Sequence, residues 1–566
     1  MKERRRREEA AWRGPSRALP PSSASFSFAL FVFLRFALFA AVAFSTFRLF
    51  GVSFRPVLIS TWPSPAMNAV SGELPLPRRD PAATLPSLQI QEAISFPDQV
   101  LLFLKSPSSL PISDLLCLYY PSSPAGGGGR PDLRLPPISS SSPDPLLVRC
   151  PLAPGGFSIS LSTSLDLPPV RPRPWDHLAY AAVFDPRDNS TIVFAKGLNL
   201  RPARLSDPSR YECIFGWNFF KPRYLLTSAA LSAAQEIIRC KTPLSVVLRL
   251  RHRRRSNHDP PLVSVKSKGR GSITLPSVAR PDTILSRRRR RKKELSMCVC
   301  TMVRNQARFL REWIVYHSRI GVQRWFIYDN NSDDGIEQVI ESMASSSNYN
   351  VTRHPWPWIK TQEAGFAHCA LRARDHCEWV GFIDVDEFLH LPTDVMLHDV
   401  LRNYSRKPRV GELRTACHSF GPSGRKTIPQ EGVIVGYTCR MNTPERHKSI
   451  VRPEALNPSL INVVHHFHLK DGMRYVNMDR GVMVINHYKY QAWEVFKEKF
   501  YRRVATYVAD WQDEENVGSK DRAPGLGTKA VEPSDWPSRF CEVDDTGLRD
   551  WVLRAFGDPN TGVLPW

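Results

Sequence analysis

The segment Phe382-Ile383-Asp384-Val385-Asp386-Glu387-Phe388 lies near the end of the stretch Met297–His390, which decides the fold. In it, a hydrophobic run delivers two carboxylates that are separated by one residue. The residues before it alternate between short β-rich runs and segments whose apolar side chains recur three or four residues apart. The first pattern predicts strands and the second predicts helices. Strands that alternate with helices predict an α/β domain with a parallel sheet.

The boundaries of this α/β order follow from local signals. Asn305 is predicted as the N-cap of the first helix, and Gly321 is predicted to end it. Ligands of such sheets bind at the carboxyl ends of the strands, so Asp329 and Asp384, each at such an end, are expected in one site. The predicted strands lie near Met297–Val303, Arg324–Tyr328, Tyr349–Arg353 and Trp379–Ile383, and the predicted helices near Phe309–Ile320, Ile336–Met343 and Gln362–Cys377.

Asp384 and Asp386 are hard oxygen ligands of the kind that Mg²⁺ or Mn²⁺ prefers. A metal held by few protein groups keeps positions open for substrate phosphates, and it neutralises the charge on a departing diphosphate. This chemistry is what a sugar-nucleotide transferase requires. The alternative is a dinucleotide-binding dehydrogenase with Asp329 on the ribose. It requires a Gly-rich turn after the first strand, and Val303-Arg304-Asn305-Gln306 contains no glycine.

An ordered set of motifs resembles glycosyltransferase family 92, which includes the plant β-1,4-galactan synthases. The resemblance extends from Met297 to Trp511 and implies a Rossmann-like GT-A catalytic domain, which we place at 297–515. It also implies a UDP-sugar donor, with UDP-galactose favoured, Mn²⁺ (or Mg²⁺) as cofactor, inversion at the anomeric carbon, and a polysaccharide or glycan acceptor. The motifs are Cys300–Asn305 with Phe309–Trp313, Tyr328–Asp334, Phe382–Phe388, Lys448–Pro453 and Ile485–Tyr490.

The resemblance also implies a distal histidine in the metal shell beside Asp384 and Asp386. His487 is favoured because a motif of the family surrounds it and a predicted amphipathic helix follows. His466 is the second candidate, and His465 and His468 are adjacent alternatives. Any single histidine is as often a surface or core residue as a ligand.

Four residues are assigned to the nucleotide-sugar donor. Asp329 is assigned to uridine or ribose by the resemblance and by its position at a strand end. Lys448 is expected to meet the diphosphate as a point charge, with a solvated lysine as the alternative. Arg304 and Asn305 follow the first strand and are placed beside the same donor.

Inverting transfer requires a general base within hydrogen-bond reach of the acceptor hydroxyl. Glu387, Glu412 and Glu431 are the candidates, and no spacing rule selects one of them. Trp356 and Trp358 are candidates for stacking on a sugar face, although packing in a core is the commoner use of tryptophan.

The amino-terminal residues predict a membrane anchor. The apolar segment Phe26–Phe50 is long enough to cross a bilayer and follows the basic cluster Lys2–Arg7, which predicts a cytosolic tail over 1–25. The implied state is a single-pass type II protein of the Golgi membrane with a lumenal catalytic domain. Cleavage near Ala41-Val42-Ala43 and an organelle transit peptide are the alternatives. Three sequons, at Asn189, Asn350 and Asn403, are compatible with a lumen.

Residues 51–90 are Pro-rich and predict an extended stem. Short apolar runs with turn residues between them predict a β-rich, sandwich-like domain over 91–250, in which Leu244–Leu250 would be a late strand. This domain is either a structural spacer or a carbohydrate-binding module that uses Trp175, Tyr180 or Trp217. Residues 251–296 are predicted as a basic linker, and the tail 516–566 has one predicted helix, Leu548–Phe556.

The net charge of +23 raises the possibility of an acidic partner. Much of that charge lies in clusters such as Arg251–Arg255 and Arg287–Lys293, a distribution typical of solvated linkers, so no nucleic-acid partner is expected. A catalytically silent, lumenal carbohydrate-binding protein is the alternative function, and the intact metal pair disfavours it. Eleven cysteines leave at least one unpaired. Cys298 and Cys300 are expected as small buried side chains on one face of a strand.

Overall fold

The computed structural model describes residues 89–105, 115–121, 131–138, 147–162, 167–198, 200, 206–217, 219, 222–252, 260–269, 272–283, 293–345, 349–393, 395–507 and 531–566. The predicted anchor, Phe26–Phe50, and nearly all of the predicted stem lie outside these residues. Within the described part of the chain, no helix is long and apolar enough to cross a membrane.

Residues 89–283 are rich in short strands, in agreement with their short apolar runs. They form a four-stranded sheet in the order β5-β2-β1-β7, a three-stranded sheet β4-β3-β6 and a seven-stranded sheet β13-β10-β11-β12-β9-β8-β14. The strands are β1 (Ile90–Ser95), β2 (Gln99–Leu104), β3 (Cys117–Pro121), β4 (Leu133–Leu135), β5 (Leu147–Pro151), β6 (Phe157–Leu161), β7 (Arg173–Pro174), β8 (Ala179–Asp185), β9 (Ser190–Ala195), β10 (Tyr211–Gly216), β11 (Leu226–Ala234), β12 (Ile237–Lys241), β13 (Leu262–Ser267) and β14 (Pro281–Asp282).

The structure differs from the sequence prediction after Lys241. Leu244–His252 is a helix, α1, and not a strand. Val246, Val247 and Leu250 are buried while Leu244 is exposed, which is the spacing of one helix face. The range predicted as a linker also contains β13 and β14, which pair with β10 and β8. The strand β13 was not predicted because arginine clusters flank its short apolar run on both sides.

The α/β domain is built on a nine-stranded sheet in the described chain. Its longest path is β17-β16-β15-β18-β22-β20-β26-β19, and β25 pairs with β20. Its strands are β15 (Leu295–Val303), β16 (Arg324–Asp329), β17 (Val351–Pro355), β18 (Cys377–Phe382), β19 (Glu387–His390), β20 (Val410–Ser419), β22 (His447–Val451), β25 (Arg474–Asn477) and β26 (Val484–His487). The short strands β21 (Cys439–Arg440) and β27 (Val543–Asp544) pair with each other, as do β23 (Asn462–Val463) and β24 (His466–Phe467).

Strands β15 to β18 run parallel, in the spatial order β17-β16-β15-β18 that a doubly wound sheet uses. Strand β22 is antiparallel to both β18 and β20, so the second half of the sheet is mixed. This arrangement brings the carboxyl ends of the parallel strands to one edge. The helices of the domain are α2 (Ala307–Ile320), α3 (Ile336–Ser345), α4 (Gln362–Ala373), α5 (Leu397–Ser405), α6 (Val433–Gly436), α7 (Trp493–Tyr507) and α8 (Gly547–Phe556).

The first helix of the domain, α2, begins differently from the prediction. Its N-cap position is Gln306, while Asn305 has a positive φ of 51° and accepts a hydrogen bond from the amide of Asp333 through its side chain. The free amide of Ala307 is instead satisfied by Asp334 Oδ2 at 2.6 Å. The prediction that Gly321 ends the helix is confirmed, because it has the left-handed φ of 117° that glycine tolerates best.

An aromatic cluster joins the β-rich region to the α/β domain. Tyr180 lies 5.0 Å from Trp358 and 5.8 Å from Trp356 between ring centroids. All three side chains are at most 5% exposed. The prediction that Trp356 and Trp358 stack on a sugar is therefore wrong, and Tyr180 is likewise a core residue. Trp217 is 54% exposed and carries the guanidinium of Arg249 at 4.6 Å from its ring centroid.

Two disulfides join β15 to neighbouring elements, one to β18 and one to the helix α4. Cys298 is bonded to Cys377 and Cys300 to Cys369. Both cysteines of β15 are buried on one face, as predicted, but they are covalently paired and not free. Cys417 is the free cysteine, and it is buried. The other disulfides are Cys117–Cys150, Cys213–Cys240 and Cys439–Cys541.

This pairing predicts the thiol content of the native protein. Alkylation of denatured, unreduced protein should label Cys417 alone, because the remaining ten of the eleven cysteines are bonded. Peptide mass spectrometry before and after reduction measures this directly. Labelling of Cys298 or Cys300 without reduction would contradict the pairing.

Candidate functional site

The site is centred on the turn that joins β18 to β19. The amide of Glu387 donates to the carbonyl oxygen of Asp384 at 3.0 Å, and the amide of Asp384 donates to Glu387 Oε2 at 3.0 Å. Val385, between the two aspartates, is buried in the core. These bonds close the turn and hold the carboxylates of Asp384, Asp386 and Glu387 at the carboxyl end of β18.

Two lysines from distant parts of the chain compensate these carboxylates. Lys448 on β22 places its Nζ 2.5 Å from Glu387 Oε1 and 3.6 Å from Asp384 Oδ2. Lys499 on α7 forms an ion pair with Asp386. Three carboxylates against two ammonium groups leave one net negative charge among these five groups when the nearby histidines are neutral. Since an uncompensated buried charge is costly, this cluster favours a further cation.

Two histidines complete the cluster. His487 lies opposite Glu387 in the β19–β26 pair, and its Nε2 is 3.4 Å from Asp386 Oδ2. That nitrogen is buried and has no hydrogen-bond partner in the described part of the chain. His465 Nδ1 lies 2.7 Å from the carbonyl oxygen of Phe382, so Nδ1 donates and Nε2 carries the lone pair. His465 Nε2 is 3.5 Å from Asp384 Oδ2.

The electrostatics keep both aspartates ionised. Burial by itself would raise the pKa of Asp384, but the Lys448 ammonium and the nearby His465 outweigh it and hold this pKa below its usual range. Burial would also raise the pKa of Asp386, but Lys499 and His487 outweigh it and hold this pKa well below its usual range. His487 Nε2, which has no hydrogen-bond partner among the described residues, and the carboxylates beside it are donors of the kind that a divalent metal takes. The lone pair of His465 Nε2 instead faces Lys448 Nζ at 2.7 Å.

The predicted donor residues lie at the same edge of the sheet. Val303 and Asp329 are register partners at the ends of β15 and β16, which places Arg304 and Asn305 beside Asp329. Asp329 is buried, and its Oδ2 accepts from Arg353 Nε at 2.8 Å while its Oδ1 accepts from an amide of the following loop. Its carboxylate therefore shapes the loop after β16.

Arg304 pairs with Asp98 of the β-rich region at 3.2 Å. Lys448, predicted to meet the diphosphate, is buried against the carboxylates of the turn. Burial would lower the pKa of this lysine, but Glu387 and Asp384 raise it above its usual range, so the group stays charged.

The structure separates the three candidate bases. Glu387 is fully buried in the site, between Lys448 and the amide of Asp384. Cys417 on β20 lies beside Glu387 and His487 of the site. Glu412 on the same strand is also fully buried, but side chains alternate along a strand, so it points to the face opposite Cys417. Glu431 lies near the surface in an ion pair with Arg425 at 2.7 Å. The structure thus brings only the first of these three into the carboxylate cluster.

Lys499 was not identified from the sequence, although a signal for it exists. In α7 it follows the buried Val495 and Phe496 by four and three residues, so it lies on the apolar face of that helix. A lysine in such a position requires a buried partner. Which carboxylate it meets depends on a contact across 113 residues of sequence, which helix periodicity does not reveal.

Removal of the Lys448 charge should destabilise the fold. We expect Lys448→Met to lower the free energy of unfolding by about 3–5 kcal/mol, because it leaves Glu387 buried without its cation. Urea unfolding followed by circular dichroism measures this. Lys266→Met is the control, since Lys266 and Glu212 form a more exposed pair at 3.3 Å, and it should cost about 1 kcal/mol or less. Equal losses in both variants would contradict the compensating role of Lys448.

The chain is similar in sequence to a known protein family and to individual plant proteins. Residues 293–517 match the family model "Glycosyltransferase family 92". A rice protein (Oryza sativa subsp. japonica) named as a glycosyltransferase family 92 protein is 61% identical over 94% of this chain and 92% of its own length. A Ricinus communis protein of the same family name is 54% identical over the full length of both chains. Among solved structures, GalNAc-T7 with UDP, GalNAc and Mn²⁺ matches 45% of this chain and 57% of its own at 9% identity, with a TM-score of 0.25.

Proposed function

This chain belongs to glycosyltransferase family 92, and we propose that it transfers galactose from UDP-galactose, with inversion, to a cell-wall polysaccharide or glycan. The observation that carries this proposal is the pair Asp384 and Asp386 at the carboxyl end of a parallel strand, with His487 Nε2 3.4 Å from the second carboxylate. A hard metal at such an edge suits a substrate that carries a diphosphate, as a nucleotide sugar does.

Each residue of the site has a distinct role in the proposed transfer. Asp384, Asp386 and His487 would hold Mn²⁺ or Mg²⁺, while His465 Nε2 accepts from Lys448 Nζ at 2.7 Å and so orients that lysine. When bound, the ion neutralises the charge on the departing UDP diphosphate. Lys448, held in place by Glu387, would add a fixed positive charge beside the same diphosphate. Asp329 and Asn305 shape the loops at the ends of β15 and β16, where the nucleoside would bind.

The metal pair provides the first test. In full-length protein incubated with UDP-galactose, Mn²⁺ and a galactan oligosaccharide acceptor, we expect UDP release that EDTA abolishes. Asp384→Asn and Asp386→Asn should each lower the rate about 100-fold or more, because each removes a charged ligand of the ion. Asp399→Asn, which changes an exposed acid on α5, is the matched control and should leave the rate unchanged.

Several results would overturn parts of this proposal separately. Turnover in EDTA, or undiminished turnover in Asp386→Asn, would exclude the metal mechanism. UDP release with another UDP-sugar, and none with UDP-galactose, would replace the donor and keep the mechanism. No release with any donor or acceptor would favour a silent carbohydrate-binding protein.

We also propose a Golgi lumenal location with Phe26–Phe50 as a single-pass type II anchor. Its support is the cysteine chemistry, because ten of the eleven cysteines are paired, and disulfides form in oxidising compartments such as the secretory lumen. The asparagines of the three sequons, Asn189, Asn350 and Asn403, are all exposed and so accessible to glycosylation.

The topology predicts N-glycans on the expressed protein. Treatment with an endoglycosidase should shift its mobility on a gel, and the triple variant Asn189→Gln, Asn350→Gln, Asn403→Gln should lack this shift. Deletion of residues 1–50 should also abolish the shift, since it removes the anchor. A full-length protein without glycans that is digested by protease in sealed microsomes would contradict a lumenal location.

A further inference from the structure

A second group of metal-ligating side chains lies on the other face of the mixed sheet. Glu412 on β20, His447 on β22 and His466 on β24 each offer one ligand atom, and these atoms lie within 4.8 Å of one another. Side chains alternate along β22, so His447 and Lys448 point to opposite faces. The cluster is therefore distinct from the site at Asp384 and Asp386.

Buried atoms of this cluster lack hydrogen-bond partners. Glu412 is 0% exposed, and its Oε2 lies 3.1 Å from Arg414 Nη2 without accepting a hydrogen bond from any described residue. His447 Nε2 is also buried and unpartnered in the described part of the chain. Buried polar atoms are nearly always satisfied, so the unpartnered Nε2 of His447, in a cluster with a buried carboxylate and a second imidazole, calls for a ligand. Arg414 pairs with Glu412 and gives His447 Nε2 no hydrogen-bond partner.

The surroundings of the cluster are those of a supported metal ligand. Ser449 Oγ donates to Glu412 Oε1 at 2.5 Å and lies 3.1 Å from His466 Nδ1. Since the hydroxyl hydrogen goes to the carboxylate, Ser449 accepts from the Nδ1–H of His466. This leaves the lone pair on His466 Nε2. Metal-binding histidines are held in this way, with the remote nitrogen donating to a fixed acceptor.

We propose that Glu412, His447 and His466 bind a Zn²⁺-class metal ion. Two imidazoles and one carboxylate form a donor set that zinc uses when it keeps a fourth position open. This nitrogen-rich donor set differs from the oxygen-rich pair Asp384 and Asp386, which suits Mg²⁺ or Mn²⁺. The ion would tie β24 to the sheet, and the preceding residue, His465, contacts Lys448 at 2.7 Å. The inference does not rest on the proposed transfer activity.

The experiment uses full-length protein carrying Asp384→Asn and Asp386→Asn, which removes the two aspartates of the first site, and His487→Ala, which breaks up its remaining group of Glu387, Cys417 and His487. After equilibration with Zn²⁺ and dialysis, elemental analysis should find about one ion per chain. Addition of His447→Ala or His466→Ala should abolish this binding. His468→Ala, which changes an exposed histidine of the same segment, is the matched control and should retain the ion. Titration with Co²⁺ should give visible absorption bands that the same two variants lose.

The outcomes decide the proposal even if a variant does not fold. Binding of Zn²⁺ to the Asp384→Asn, Asp386→Asn, His487→Ala protein must raise its melting temperature as Zn²⁺ concentration rises, because an ion that binds only the folded state stabilises it. The absence of such a rise overturns the proposal. Retention of the ion by folded His447→Ala and His466→Ala proteins overturns it as well.

Discussion

Charge compensation in the turn after β18 is the constraint on which the rest of the domain depends. Asp384, Asp386 and Glu387 are close in sequence and largely buried, and like charges so placed repel one another strongly in a low dielectric. Their cations come from β22 and α7, far along the chain. The antiparallel strand β22 is thus needed both to extend the sheet and to deliver Lys448, whose loss would leave Glu387 buried without a partner.

The edge that carries the site is built by more than the α/β domain. The side-chain amide of Asn330 donates to the carbonyl oxygens of Trp356 and Trp358, whose rings pack on Tyr180 of the β-rich region. Asp333, in the same loop, pairs with Arg149 at 3.0 Å. The loop after β16 therefore has contacts from both regions, and the described residues from Gln89 onward belong to one compact unit. The β-rich region has a structural role at the site, whether or not it binds carbohydrate.

Local patterns predicted the parallel half of the sheet well, because its strands and helices are decided by periodicity and by residues such as Gly321. They failed where partners are remote. Cys298 and Cys300 resemble ordinary small core residues until the strand that carries Cys377 is placed beside them. Asn305 was predicted as a cap because its residue type favours that position, but Asp334 satisfies the helix amide and leaves Asn305 to a tertiary contact.

The candidate site shows the same division, since Asp384 and Asp386 follow from the sequence and the role of Glu387 does not. A general base must take a proton, and both oxygens of Glu387 already have partners, the amide of Asp384 and the ammonium of Lys448. Protonation of Glu387 would weaken the attraction that keeps Lys448 buried and charged. The cost of that step exceeds the cost for a carboxylate with no such partner. Glu387 is therefore better suited to positioning Lys448 than to deprotonating an acceptor.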